Sequence, residues 1–519
     1  MMSTFMGLET SKRGLFTQQS ALYTTGHNIS NANTLGYSRQ RVNMEATAGF
    51  PGTGLSAGTM PGFLGTGVQA GSIQRIRDGF VDQQYRQESN KLGYWDSQTK
   101  AISQMEDVLN EPSAYGLQKS LSEFWQSLQD LAVNPENGGA RAVVVQRGQT
   151  VADSFNHMHK SLTEIQTNLG KEIDISAGQV NSILKQISEL NDQIQKVEPN
   201  GYLPNDLYDA RDALVDELSG YFPIETSYEK SGGRASAIAE GSVTVTLKLK
   251  DGTKVELVNR SEHAKLDTNP SSLHDVSTNE NNAITGLKIT QPNGTIVDAE
   301  HSNLLDIGKV KSLMNSYGTV DTDTNGVPIP ETTKGLYPKM IAELNKMAAA
   351  FGDQMNIVHT SGTDINGVKG GNFFDTKGPG PFTAGNIFVS EALMKDSNLL
   401  AASDSTGAEE GNGKNAKNLA NVQFSTSATL GGSTLQTYFQ GVIGQLGVDG
   451  QQAERMTFNS ATLLGAVEHR RASISSVSLD EEMTDMIRFQ QAYNASARMI
   501  TVVDETLDKI INGMGRVGM

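Results

Sequence analysis

VSLDEEMTDMIRFQQAYNASARMITVVDETLDKII (477–511) carries an apolar side chain at every seventh residue: Leu479, Met486, Tyr493, Ile500 and Leu507, continued by Met514. Phe489, Val503 and Ile510 add a second line, three residues on from Met486, Ile500 and Leu507. A seven-residue apolar repeat lets a helix bury a narrow seam against another helix. The opposite end of the chain repeats the device. In STFMGLETSKRGLFTQQSALYTTGHNISNAN (3–33), Leu8, Leu15, Leu22 and Ile29 recur at the same interval. An amphipathic helix packed inside its own domain also shows apolar residues at helical spacing. Six consecutive matches at strict seven-residue spacing favour helix-to-helix assembly instead. Such seams at both ends of a 519-residue chain predict ends built to pair, with each other or with copies of themselves. That points to assembly rather than catalysis.

The length predicts about three or four domains. Only 37% of residues are apolar and 6% aromatic, and Gly numbers 53, which suits a soluble, elongated, multi-domain protein. The formal net charge of -16 argues against non-specific binding to nucleic acid or to an anionic membrane. There is no Cys, so disulfides, thiolate nucleophiles and Cys-based zinc sites are excluded. MMSTFMGLETSKRGLF lacks the basic start and continuous apolar core of a cleaved leader, and no apolar run is long enough to cross a membrane. The protein is then cytoplasmic, or is exported without a cleaved leader.

Residues 3–33 read as a helix of modest propensity with Gly26 inside it, in need of a partner. Gly49–Gly71 reads as loop and short strand, with a strand near Val68, Ile73 and Ile76. From about 78 to 198 the pattern is helical, broken at 111–113 and at Asn134-Pro135. The stretch 138–198 reads as one very long helix, closer to a coiled coil than to a globular helix. Asn205-Asp206 can cap a short helix bearing Leu207, Leu214 and Leu218. SVTVTLKLKDGTKVELV is a hairpin turning at Asp251-Gly252, and AITGLKITQPNGTIVD repeats the device at Asn293-Gly294. A helix follows at about 332–357, then Gly- and Asn-rich sequence to about 430. Ser433-x-x-Gln436 and Ser478-x-x-Glu481 read as capping boxes opening two last helices.

The predicted fold is therefore multi-domain α+β. A long α-helical bundle or coiled-coil rod is formed by both halves of the chain, with antiparallel β-rich domains inserted. Residues 1–35 and 478–519 form the paired terminal helices. Residues 36–220, 332–358 and 433–477 form the rod. Residues 222–331 form a β-rich domain, and 359–432 a second small mixed domain or insertion.

Features that could carry chemistry are weak. The eight His are scattered, and no HExxH, GxSxG or Walker-type loop is present. His157 and His159 face different directions on a helix. GVKGG (367–371) reads as a turn. Asp364-x-Asn366-x-x-Lys369 is superficially like a calcium loop but lacks the remaining acids and the closing Glu. Asp209, Arg211 and Asp212 read as a solvated face or a structural salt bridge. Glu481, Glu482 and Asp485 sit where carboxylates favour a helix dipole. No catalytic residue, metal ligand or cofactor is predicted.

ALYTTGHNISNANTLGYSRQRV (21–42) resembles the N-terminal motif of the flagellar rod, hook and hook-associated proteins, and 477–511 resembles their C-terminal motif. Asn28, Ile29, Asn31, Ala32, Asn33, Gly36 and Tyr37 match the first, with Leu35 in place of the usual Pro. Phe489, Gln490, Gln491, Ala492, Tyr493, Ala495, Ser496 and Ala497 match the second. PNDLYDARDALVDELS (204–219) and NGVKGGNFFD (366–375) extend the likeness to the branch that forms the first hook–filament junction.

The resemblance implies a structural subunit of the bacterial flagellum, placed at the hook–filament junction. It implies export unfolded through the flagellar type III apparatus and stacking of copies in a ring or tube layer, with the terminal helices innermost. The implied partners are the hook protein, a second junction protein, and a cytosolic export chaperone at the C-terminal helix. No nucleic acid and no membrane insertion are implied. The expected assembly interface is Leu8, Leu15, Leu22, Ile29, Asn31, Asn33, Leu479, Met486, Phe489, Tyr493, Ile500, Val503, Leu507, Ile510 and Met514. The terminal helices are expected to be disordered in the free monomer. Competing readings are another axial subunit, such as the hook protein or the second junction protein, and a secreted adhesin-like binding protein on a helical stalk.

Overall fold

The structure is a computed structural model that describes residues 5–49, 65–109, 116–267, 283–322, 329–407 and 409–513. Met514, the break at 111–113 and much of the Gly49–Gly71 stretch lie outside the described residues. The chain opens with helix α1 (Phe5–Ser30) and a hairpin of β1 (Gln40–Ala46) and β2 (Val68–Arg75). Helices α2 (Gly79–Val108), α3 (Leu117–Val133), α4 (Gly138–Val197) and α5 (Asn205–Tyr221) follow. Two antiparallel sheets come next, in the orders β3 (Ile224–Glu229), β4 (Ser242–Lys248), β5 (Lys254–Asn259), β6 (Glu262–His263), and β7 (Lys265–Asp267), β8 (Gly286–Thr290), β9 (Ile296–Glu300). Helices α6 (Lys309–Tyr317) and α7 (Leu336–Ser361) return the chain to the bundle. A small hairpin of β10 (Phe374–Thr376) and β11 (Ile387–Val389), then short helices α8 (Glu391–Lys395) and α9 (Lys414–Asn421), lead to α10 (Leu435–Ser475) and α11 (Leu479–Asp508).

The 60-residue α4 is the spine. Asn137 caps it, accepting from the N–H groups of Gly139 and Ala140. Its apolar stripe is buried from Val144 to Ile194. It packs on α3, α5, α6 and α7 and on strands of both large sheets. The long periodic pattern thus records one helix with many successive partners, not a two-helix coiled coil. Around Phe351 the rings of Phe124, Phe155 and Phe374 lie 4.9–6.1 Å away, centroid to centroid. Phe373 packs on Phe374 at 4.8 Å. Gly148 is required here, because a Cβ would fall 2.7 Å from the Phe373 ring. Segment 359–432 therefore adds its side chains to the same core as the helices.

Several local expectations are corrected. Helix α6 lies within the stretch read as β-rich and packs on α2 and α4. The cap of α10 is Thr434, not Ser433, its Oγ1 accepting from Thr437 N–H at 3.3 Å. Asn205 does not cap α5; its amide donates instead to Gln40 and to the Ile73 carbonyl. Ser478 stands at the start of α11 without a side-chain cap bond.

His359 staples the returning loops to α7. Its Nε2 accepts from Ala401 N–H at 3.0 Å, so Nδ1 carries the proton donated to the Gly371 carbonyl at 2.7 Å. Burial lowers its pKa to about 4, against the opposing pull of the Gly371 bond. The unfolded chain then binds more protons than the folded one between pH 6.5 and 4. The stability from neutral His359 is present above the upper value and lost towards the lower one. Urea titrations should show a fall on the order of 3 kcal/mol across that window, and a His359→Asn variant should lose that part of the slope.

Candidate functional site

Helices α1 and α11 form an antiparallel pair. Gly7 faces Val503, with 3.7 Å between the site of a Cβ and Val503 Cγ2. Gly14 faces Ser496 Oγ at 3.3 Å. Asn28 Nδ2 donates to Glu482 Oε2 at 3.0 Å. Ala21, 1% exposed, continues the same line. The residues that α1 turns to its partner are thus Gly7, Gly14, Ala21 and Asn28, a seven-residue repeat of small or polar side chains. It runs one position ahead of the leucines. Without bulk on this line the two backbones approach closely, and the larger α11 side chains fill the groove.

Leu8, Leu15, Leu22 and Ile29 flank that line and are half-buried. On α11, Met486, Phe489, Tyr493, Ile500, Val503 and Leu507 are half-buried too. Leu479 is 49% exposed, and Ile510, in the wider turn that ends the helix, is 46% exposed. Asn31 folds back on α1, donating to the His27 carbonyl, and Asn33 is exposed. At 100° per residue, the leucine line of α1 and the Met486–Tyr493–Ile500–Leu507 line of α11 lie on the same side of the pair. The opposite side of α1 carries the hairpin: Thr10 packs on Gly67, and Thr17 Oγ1 donates to the Val68 carbonyl at 3.2 Å. The leucine line of α1 and the Met486–Tyr493–Ile500–Leu507 line of α11 therefore do not interlock, although Val503 of the second α11 line packs on Gly7. The leucine line and the Met486 line lie side by side as one apolar face.

A buried polar node closes the end of the pair nearest the rod. Asn28 Oδ1 accepts from Tyr37 O–H at 2.8 Å and from Gln40 N–H at 3.0 Å. Its Nδ2 donates to the Gln40 carbonyl and to Glu482. Both donors and both lone pairs are used. Burial, with the carboxylates of Asp206, Asp209 and Glu482 nearby, raises the Tyr37 phenol above its ordinary value, so it remains a donor. Arg39 Nε donates to Glu482 Oε1 at 2.7 Å, its Nη1 reaches Glu481, and its backbone N–H donates to the Ser475 carbonyl. The acids read as dipole partners of α11 are thus used to hold Arg39.

A second network ties the hairpin base to the rod. Arg75 pairs with Asp209 at 2.7 Å, with Asp212 at 2.9 Å and with Glu240. Arg77 bridges Asp82 and Asp212, and Arg86 binds Asp216 at 2.7 Å. Arg471, near the end of α10, joins Asp82 and Asp216. The cluster at 209–212 is therefore a buried ion-pair network and not a solvated face. Burial alone would raise the Asp212 carboxyl, but Arg75, Arg77, Arg211 and Arg86 hold it down to about 2.

Asp364 Oδ1 accepts from the N–H groups of Asn366 and Val368, so its loop is a turn stabilised from within. Among the described residues no group of His, Asp and Glu is placed to hold a metal ion, and no helix is long and apolar enough to cross a membrane.

Residues 102–374 match the model of the flagellar hook-associated protein FlgK helical domain, and 471–513 that of the flagellar basal body rod FlgEFG protein C-terminal region. The chain is 44% identical to flagellar hook-associated protein 1 of Bacillus subtilis (strain 168), over 99% of each chain. It is 24% identical to flagellar hook-associated protein 1 of Salmonella typhimurium, over 96% of this chain and 98% of that one. The solved flagellar hook junction protein FlgK from Burkholderia pseudomallei shares the fold, with a TM-score of 0.59 at 14% identity, over 76% of this chain and 100% of that one.

Asp212→Asn should lower stability by about 3–5 kcal/mol, because it leaves buried guanidinium charge unbalanced. Urea unfolding at neutral pH measures this. A loss under 1 kcal/mol would contradict the role of the network.

Proposed function

We propose a function that starts from one fact: this chain belongs to the flagellar hook-associated protein FlgK family. It is a structural subunit of the bacterial flagellum, located at the hook–filament junction, and it serves motility by joining two tubes. Copies associate laterally in a ring or tube layer with α1 and α11 innermost. The hook protein lies on one side and a second junction protein on the other. The subunit reaches its place unfolded through the flagellar type III export apparatus, and a cytosolic chaperone holds α11 until then.

The observation that carries this reading is the one-sided apolar face of the terminal pair. Leu8, Leu15, Leu22 and Ile29 lie beside Met486, Tyr493, Ile500 and Leu507, all only half-buried in a single chain. Further apolar side chains, among them Phe16, Met483 and Ile487, are exposed on the same two helices. An apolar surface of this extent on two helices suits burial against copies of itself. The sequence also keeps the acidic chain soluble until it docks, since its net charge of -16 repels copies at a distance.

Met486→Asp and Ile500→Asp each place a charge on this face. Each should abolish the capping of isolated hooks by purified protein, while the unfolding of the rod shifts by less than about 1 kcal/mol. Cells carrying either variant should bear hooks without filaments and lose filament subunits to the medium. Normal filaments on such cells would refute the assignment of this face.

A further inference from the structure

Burial along the terminal pair is graded. On α1 the buried residues are Thr17, at its midpoint, and Ala21, Thr24, Thr25 and Asn28 beyond it. None of residues 5–16 is buried. On α11 the buried residue is Glu482, in the first turn. The node of Asn28, Arg39 and Glu482 thus stands at the end with the most burial, next to the rod. Among the described residues, the far end, where Gly7 meets Val503, has neither buried apolar side chains nor a polar lock.

The chain on either side of the node is also pinned to the rod. Ser38 N–H donates to Asp209 Oδ2 at 2.9 Å, and Arg471 is paired to Asp82 and Asp216. With both strands of chain anchored there, closing the adjacent turns of α1 on α11 costs little further loop entropy. Each later turn must be ordered against solvent, with only half of its apolar surface covered.

We infer that the terminal pair is zipped from its rod-proximal end. The node holds residues 21–30 against 482–490 in the free subunit. The distal part, residues 5–12 with 502–508, stays open until another copy covers its apolar face. The inference takes its purpose, but not its test, from the junction reading: a subunit with half of its pair formed presents a fixed start from which docking completes the helices. Asn28, Arg39 and Glu482 are positioning residues in this scheme. They set where the pair begins and touch no neighbour themselves.

Hydrogen exchange on the free, full-length subunit tests it. Amides of 21–30 and 482–490 should exchange about tenfold slower, or more, than those of 5–12 and 502–508. Glu482→Gln should erase that difference by speeding the proximal amides, with α4 unchanged. If Glu482→Gln also loosens α4, Asn28→Ala decides by the same readout, because its side-chain partners, Tyr37, Gln40 and Glu482, lie on none of the helices packed around α4. Equal exchange along the whole pair, fast or slow, overturns the inference, as does a proximal half that stays slow in Asn28→Ala. Hook capping by the same wild-type preparation is scored separately. Normal capping with uniform exchange removes the zipper and leaves the junction function standing.

Discussion

Asn28 has two donors and two lone pairs in a place that water does not reach, and all four are answered by the chain. The bond to Glu482 joins residues 454 positions apart, so it ties the beginning of the sequence to its end. A seven-residue seam cannot do this alone. Its repeats are nearly equivalent, and a slip by one heptad would exchange one apolar contact for another. Slipping past the node would strand an amide, a carboxylate and a guanidinium. Each orphaned buried polar group costs about 1–3 kcal/mol, more when charged. The node therefore fixes the register that the apolar lines leave open, as a single buried polar residue does in coiled coils.

That register matters because the pair is not self-contained. The small-residue line Gly7–Gly14–Ala21–Asn28 brings α11 close and pushes the leucines to one flank. The half-covered apolar lines of both helices then share a face. The network around Asp212 extends the constraint outward, since the hairpin base, α2, α5 and the end of α10 all meet in it. The orientation of the terminal pair is thus set by buried charge, while the rod is held by apolar packing around α4.

Much of this was readable from residues alone. The terminal heptads, the unbroken helix to Val197 and the Asp251-Gly252 and Asn293-Gly294 hairpins have strong local causes: period, absence of proline, turn chemistry. The line that α1 turns to α11 is not legible, although its spacing of seven is equally regular, because Gly, Ala and Asn do not form an apolar stripe. The burial of Asp212 was not legible either, since its partners Arg75, Arg77 and Arg86 are more than a hundred residues away. Ser478-x-x-Glu481 failed as a capping box for the same reason: Glu481 is claimed by Arg39, a residue that no local window contains. Helix α6 is not legible in the sequence, because nine residues following the β hairpins give too few turns for a helical period to stand out.

The most direct test uses the absence of Cys from the chain. A Gly14→Cys, Ser496→Cys double variant places two thiols where a Cβ and Oγ now lie 3.3 Å apart, within reach of a disulfide after small adjustment. The variant is assembled onto isolated hooks and then oxidised. The account predicts a cross-link within each subunit, seen as a faster-migrating monomer on non-reducing gels, while Gly14→Cys with Asp504→Cys, out of register, remains unlinked. Cross-linked dimers in place of the internal bond, or equal linking of both pairs, would contradict the pairing of the chain's own two ends.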